Sequence, residues 1–440
     1  MNRPTLTAII LAAGLCIVPF AFANDSAWRT YDPGFKVLDI TDGAGGTLWV
    51  CGSGASIAVS RDDGAHWEIR DQVKGAGLLL TIRFRGSFGY AVGTTGYAAL
   101  TEDDGATWRH LNVPYRDVLS GSFSDETHGL LRTRSAVVST ADGKTWTSVS
   151  DQYATDFKNF PYVLGVAALD AGHMAIHLSE PPPSRSGFLV TANGGAGWNF
   201  VEIPNTTITS LLIQGGKYWA VGTEVVHKGE PGGGNAVPLA LYSSDGEKWD
   251  HTQHDIQMCH WEGCGGTCTD QGCLAASGLV LRIFDESSER VVFAPNPELT
   301  VKWAVTRTVM CFVGAQLECA DSRVDPSADA GNMEGTTPTA GAQPLVKPGP
   351  PGAIECIVCG LKPVYVDTKA NGVFHLKLSL LIDADGLIES VEIQGAPSKT
   401  LEDDIRRSVL GWVFVPVLQA GVPVNVKLST TASVMAVRPR

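Results

Sequence analysis

At 440 residues the chain is too long for one ordinary compact domain unless its architecture repeats, and 44% apolar composition is enough for real cores. The 46 acidic residues against 33 basic ones leave a formal charge of −13. That charge repels nucleic-acid phosphate and anionic lipid, so it argues against both as partners and favours a basic or neutral one.

The N-terminus reads as a secretory signal: Arg3, an apolar run over residues 6–22, then Ala21-Phe22-Ala23 as the cleavage site before Asn24. Export to the periplasm is expected. Leu15, just before Cys16, is too large for a lipoprotein signal. Membrane contact is therefore expected only through a partner, or through the leader itself if it stays uncleaved.

Next comes a recurring motif of the form S/T-x-D-x-G-x-T-W. Its clear copies carry Ser60, Asp62, Gly64 and Trp67, then Thr101, Asp103, Gly105 and Trp108. Looser copies run from Ser139 to Gly143 and Trp146, from Thr191 to Gly195 and Trp198, and from Ser243 to Gly246 and Trp249. The tryptophans fall 41, 38, 52 and 51 residues apart, the length of a four-stranded propeller blade. A short carboxylate can hold the amides of its own turn, glycine supplies positive φ, and tryptophan adds an apolar anchor, so each copy reads as a hairpin staple.

These motifs resemble Asp-box (bacterial neuraminidase) repeats. The phrase Gly89-Tyr90-Ala91-Val92-Gly93-Thr94-Thr95-Gly96, running on to Trp108, is similar to the propellers of photosystem II assembly factors and their bacterial relatives. The resemblance implies an all-β propeller over residues 24–323, with about seven blades. Six is the other count, because the units after Trp249 rest on length and on apolar runs such as residues 278–284.

Asp-box propellers also include sialidases, which makes a carbohydrate-active or glycan-binding propeller the alternative. A sialidase clamps its substrate with arginines, the first usually in an R-I-P strand. Arg83-Phe84-Arg85 is the nearest match and lacks the Ile-Pro. The pairs Asp62-Asp63 and Asp103-Asp104 lack the further oxygen donors that calcium needs. No catalytic residue, cofactor or metal is expected.

Loss of Cys16 with the leader leaves nine of the 10 cysteines, which in an oxidising compartment reads as disulfides plus one thiol, with Cys51 the leftover. Cys259, Cys264, Cys268 and Cys273 lack zinc-ribbon spacing and are expected to pin a loop as disulfides. Cys311 and Cys319 are candidates for joining neighbouring strands. Cys356 and Cys359 form a C-x-x-C outside any strand-then-helix redox setting.

Residues 324–360, rich in Pro, Gly and Ala, read as a flexible linker. Beyond it, over residues 361–440, alternation from Phe374 to Ile382, the turn Asp383-Ala384-Asp385-Gly386 and a second alternating run predict a hairpin. Leu401, Ile405, Val409 and Trp412 then follow helical spacing, with Ser398 or Thr400 as cap. A last strand is expected over residues 424–437. The order is β-β-α-β, a small α+β domain.

Asp383-Ala384-Asp385-Gly386, Trp412-Val413-Phe414-Val415-Pro416 and Gly421-Val422-Pro423-Val424 resemble the signature of the TonB C-terminal domain. That family binds partners by strand addition. The resemblance implies capture of an envelope protein or extended peptide along the last strand, with Val426, Leu428, Ser429 and Ser433 as candidate positions. The expected function is a periplasmic, non-catalytic interaction or assembly protein whose propeller face holds a second, unknown partner. A TonB-type energy transducer, with the N-terminus as anchor, is a further alternative.

Overall fold

The structure is a computed structural model that describes residues 29–73, 77–180, 185–226, 235–251, 266–269, 272–277, 280–284, 289–293, 302–305, 309–313, 316–321, 356–358, 372–384, 386–410, 412–414, 417–419 and 422–436. Residues 1–28 and 322–355, which take in the expected signal and most of the expected linker, lie outside these residues, as do Cys259, Cys264 and Cys359. Among the described residues no helix is long and apolar enough to cross a membrane.

Alternating strands of two to ten residues, punctuated by glycine and aspartate turns, can satisfy their backbone only by pairing with their neighbours. They do so as seven four-stranded antiparallel sheets. Blades 1 to 6 each run in chain order from an inner strand outward. Their inner strands are Val37–Asp42, Leu79–Arg85, Val118–Phe123, Tyr162–Ala168, Thr206–Gln214 and Gly266–Thr269. Blade 7 takes three strands from Lys302–Val305, Val309–Val313 and Leu317–Asp321, and its fourth from the N-terminal Arg29–Tyr31. Arg29 faces Cys319 and Tyr31 faces Leu317 in that pairing, so the first strand of the chain closes the ring on the last.

A disulfide links Cys311 to Cys319, which sit opposite one another in adjacent strands of blade 7. Cys268 and Cys273 are likewise register partners in blade 6. Cys51 is a buried thiol in blade 1 that donates to the Leu79 carbonyl of blade 2 at 3.6 Å.

The blades pack face to face, so strands in the middle of a blade are buried on both sides; in Ser56–Ser60 all five residues are buried. The cores lie between blades. One gathers Val37, Leu48 and Val50 of blade 1 with Ala304, Val309 and Leu317 of blade 7. Another joins Trp49 and Ile57 of blade 1 to Leu79, Ile82 and Phe84 of blade 2. Polar groups also stitch one blade to the next. Asp39 Oδ2 accepts the Ile82 amide at 2.9 Å, Ser122 Oγ accepts that of Ala168 at 2.9 Å, and Ser186 Oγ accepts that of Ile208 at 2.9 Å.

Strand register gives the ring two distinct faces. In blade 1, Asp42 faces Leu48 and Leu48 faces Ser60, so the inner strand ends on the face that carries the Asp-box turn. Val37 faces Gly52, and Ser56 faces Gln72, on the opposite face, where inner strands begin.

The C-terminal unit has the order strand, strand, helix, strand. Gly372–Ile382 is the central strand, flanked by Ile388–Gln394 and by Val426–Ala436. Leu376, Leu378, Leu380 and Ile382 turn one face of the sheet toward Leu401, Ile405 and Val409 of the helix Lys399–Leu410. Ser398 rather than Thr400 caps that helix, its Oγ accepting the Leu401 amide at 3.2 Å. Cys356–Val358, read from sequence as the end of the linker, is a strand that pairs with Val413–Phe414. The folded unit therefore takes in residues upstream of 361.

Candidate functional site

The five Asp-box turns share one hydrogen-bonding plan. The hydroxyl ending the third strand accepts the glycine amide: Ser60 from Gly64 at 2.9 Å, Thr101 from Gly105 at 2.9 Å and Thr191 from Gly195 at 3.1 Å. The same hydroxyl donates to the next polar group, Asp62 at 2.9 Å, Asp103 at 2.8 Å and Asn193 at 2.8 Å. That group in turn accepts an amide four residues on. Asp63 and Asp104 have positive φ, as do Gly64 and Gly105, so the acidic pairs exist because aspartate tolerates the left-handed turn.

The third and fifth copies are one residue shorter. In the third the hydroxyl belongs to Thr140, whose Oγ1 accepts the Gly143 amide at 3.0 Å, while Ser139, which the motif alignment places first, stands one position too early. In the fifth Ser243 accepts from Gly246 at 2.8 Å. Thr140, Asp142, Asn193 and Asp245 thus join the staple residues read from sequence; in the third and fifth copies the signal that finds them is Asp directly before Gly. Thr140→Val is expected to lose about 1 kcal/mol of stability and Ser139→Ala clearly less, measured by chemical denaturation. Equal losses would contradict the assignment.

Each Asp-box tryptophan packs against the blade before its own. Trp67 joins the seam between blades 7 and 1, Trp108 that between 1 and 2, Trp146 that between 2 and 3, Trp198 that between 3 and 4, and Trp249 that between 4 and 5. Trp249 donates its indole N–H to Gly246 O at 2.8 Å. Those of Trp67, Trp108, Trp146 and Trp198 meet no acceptor among the described residues, so these rings act through apolar area.

The Asp-box carboxylates are fixed acceptors. Hydrogen bonds from His66 hold Asp62 down to about 2, and those from Thr107 do the same to Asp103. Backbone donors from Thr145 and then Lys144 bring Asp142 to about 2. A general acid must hold its proton near working pH, and these groups do not.

Three arginines that could clamp a carboxylate are engaged within the ring. Arg83 bonds Asp39 Oδ2 at 2.6 Å, and Asp39 is wholly buried. Arg85 reaches from the end of the blade 2 inner strand to the Ala168 carbonyl in blade 4, and to Ser122 in blade 3 at 3.4 Å. Arg132 donates to the Val163 carbonyl at 2.7 Å, and burial pulls it down to about 10. No group of three or more His, Cys, Asp or Glu side chains among the described residues is placed to hold a metal.

Two concavities lie among the described residues. One, of about 470 Å³, opens on the Asp-box face between blades 3 and 4, lined by His128, Ser139, Thr147, Asn193 and small residues. The other, of about 520 Å³, lies on the sheet of the C-terminal unit away from its helix, beside Lys377, Ser379, Glu392 and Ser429. Val426–Ala436 pairs along its whole length with the central strand and stands at the end of its sheet.

No family model matches the chain, and no curated protein does. The TonB resemblance of residues 361–438 stands on its motifs alone. Solved propellers are similar to this chain in part. A structure titled YCF48 bound to D1 peptide is 14% identical, covering 67% of this chain and 94% of its own, at a TM-score of 0.40. YCF48 from Cyanidioschyzon merolae is 14% identical over 61% of this chain and 99% of its own, at 0.34. The RRP9 WD40 repeats are 8% identical over 68% and 98%, at 0.42. The propeller architecture rests on the seven sheets themselves.

Proposed function

We propose that this chain is a non-catalytic binding scaffold of the periplasm, in which the C-terminal unit receives an extended segment of an envelope protein along Val426–Ala436. The observation that carries the reading is that strand: 11 residues, paired on one side, at the edge of a three-stranded sheet. An edge of this length offers a row of backbone donors and acceptors to an added strand. The strand-strand-helix-strand order and the helix packed on one face agree with the TonB-like motifs. The non-catalytic reading is supported by arginines committed to Asp39, Ala168 and Val163 and by Asp-box carboxylates held as turn acceptors. Export rests on the leader.

Neighbouring residues of a strand send their amides to opposite sides, so proline at Ser429 and at Thr430 separates the two edges. One substitution is expected to break the ladder to the central strand and lower the melting temperature. The other should leave melting unchanged and reduce capture of the envelope partner at least tenfold, read by affinity capture and mass spectrometry. Undiminished capture by the well-folded variant would refute strand addition at this edge.

A further inference from the structure

The inner strands of blades 1 to 5 share an irregularity at the face where they begin. In blade 1, Val37 pairs with Gly52 and Asp39 with Cys51, so Leu38 is an extra residue with no register partner. The same bulge falls at Leu80 in blade 2, Leu119 in blade 3, Leu164 in blade 4 and Thr209 in blade 5. A bulge re-aims the side chain it adds and marks a rim rather than a defect. Four of the five are leucine, so the rim on this face carries an apolar collar, although water would ordinarily reach it.

Half of that collar is covered. Leu38 and Leu80, with Leu78, pack against Leu387 and Val413 of the C-terminal unit; Leu78 is fully buried. Lys36, immediately before the first inner strand, sends its Nζ to the carbonyl of Leu410 at 2.6 Å, the last residue of the helix Lys399–Leu410. A cation suits that end of a helix, where carbonyls are unpaired and the dipole is negative. Burial lowers the Lys36 pKa and Asp383 nearby raises it. Leu119 and Leu164, at the same bulge in the next two blades, are half-buried.

We propose that the C-terminal unit is a releasable cap on this mouth of the propeller, seated on Leu38, Leu78 and Leu80 and pinned by Lys36. Among the described residues the cap brings the side chains of Leu387 and Val413 and the Leu410 carbonyl to the contact. Interfaces between domains of one chain allow relative motion unless they are large and hydrophobic. The 34 residues between Asp321 and Cys356 are long enough for the cap to leave without unfolding either unit. Closed, it hides one half of the collar; released, it leaves Leu38, Leu80, Leu119 and Leu164 continuous. The cap sits on the face opposite the Asp-box turns. The proposal does not depend on which partner the edge strand takes.

The test is hydrogen exchange with mass spectrometry on the full chain, with small-angle scattering alongside. Lys36→Glu removes the pin from the propeller side, and Val413→Asp disrupts the seat from the cap side. Each is expected to raise exchange at least tenfold around Leu78 to Leu80 and to lengthen the maximum dimension, with propeller melting unchanged. Unchanged exchange and dimension in Lys36→Glu would overturn the proposal. So would a fall in propeller melting in that variant, since the contact would then be an integral part of the ring. If Val413→Asp unfolds its own unit, Lys36→Glu decides alone.

Discussion

Alanine in place of Gly105 is expected to destabilise the propeller by about 3 kcal/mol, through overpacking added to a strained backbone. The added Cβ would stand 2.1 Å from Cη2 of Trp49, and the residue has a φ of +73°. Trp49 has nowhere to go: its ring stacks on Phe84 at 4.7 Å and meets Trp108 edge-on at 5.9 Å, in the seam between blades 1 and 2. Gly45→Ala is the control, because Gly45 shares the left-handed backbone, at φ +69°, and has nothing within 4 Å of the added carbon. It should lose only the backbone share, about 1 kcal/mol. Urea unfolding of both variants decides. Similar losses would mean that the Asp-box glycine serves conformation alone and does not let blade 2 approach blade 1.

His177→Leu is expected to remove an acid-dependent loss of stability worth about 3 kcal/mol at pH 4. His177 lies in the second strand of blade 4, fully buried, beside Phe188, with both ring nitrogens lacking a hydrogen-bond partner among the described residues. Desolvation brings its pKa from 6.5 down to about 3. Above pH 6.5 the imidazole is neutral folded and unfolded, and pH has no hold through it. Between 6.5 and about 3 the unfolded chain takes up a proton that the folded chain refuses, so stability falls as pH falls; below that window both states are charged. Leucine has no proton to take and no nitrogen to leave unmatched. The difference between wild type and variant, followed by denaturation from pH 7 to pH 4, isolates this group from the carboxylates. Parallel pH profiles would show that His177 is solvated or partnered in solution.

The Asp-box turns were legible because everything they need is contiguous. A hydroxyl, a carboxylate and a glycine within five residues close their own hydrogen bonds, so Ser60, Asp62 and Gly64 announce a turn wherever the chain goes. Likewise, alternation from Phe374 to Ile382 and the spacing of Leu401, Ile405 and Val409 declare a strand and a helix, since side-chain period follows from backbone geometry. Even there a one-residue shortening displaced the hydroxyl from Ser139 to Thr140, because the motif fixes residue types more firmly than register.

What remained hidden depends on neighbours distant in the chain. That Trp108 serves the seam with blade 1, that Arg85 spans to Ala168, and that Arg29–Tyr31 completes blade 7 follow only from closure of the ring. Blades 6 and 7 carry no Asp box, so only length and apolar runs mark them. The bulged leucines look like ordinary strand residues until register leaves them unpaired. Leu387 follows a predicted turn and Val413 lies in a motif; which leucines they cover across the chain is decided by tertiary packing, because apolar contact is non-directional and sequence alternation says that a face is buried without saying against what.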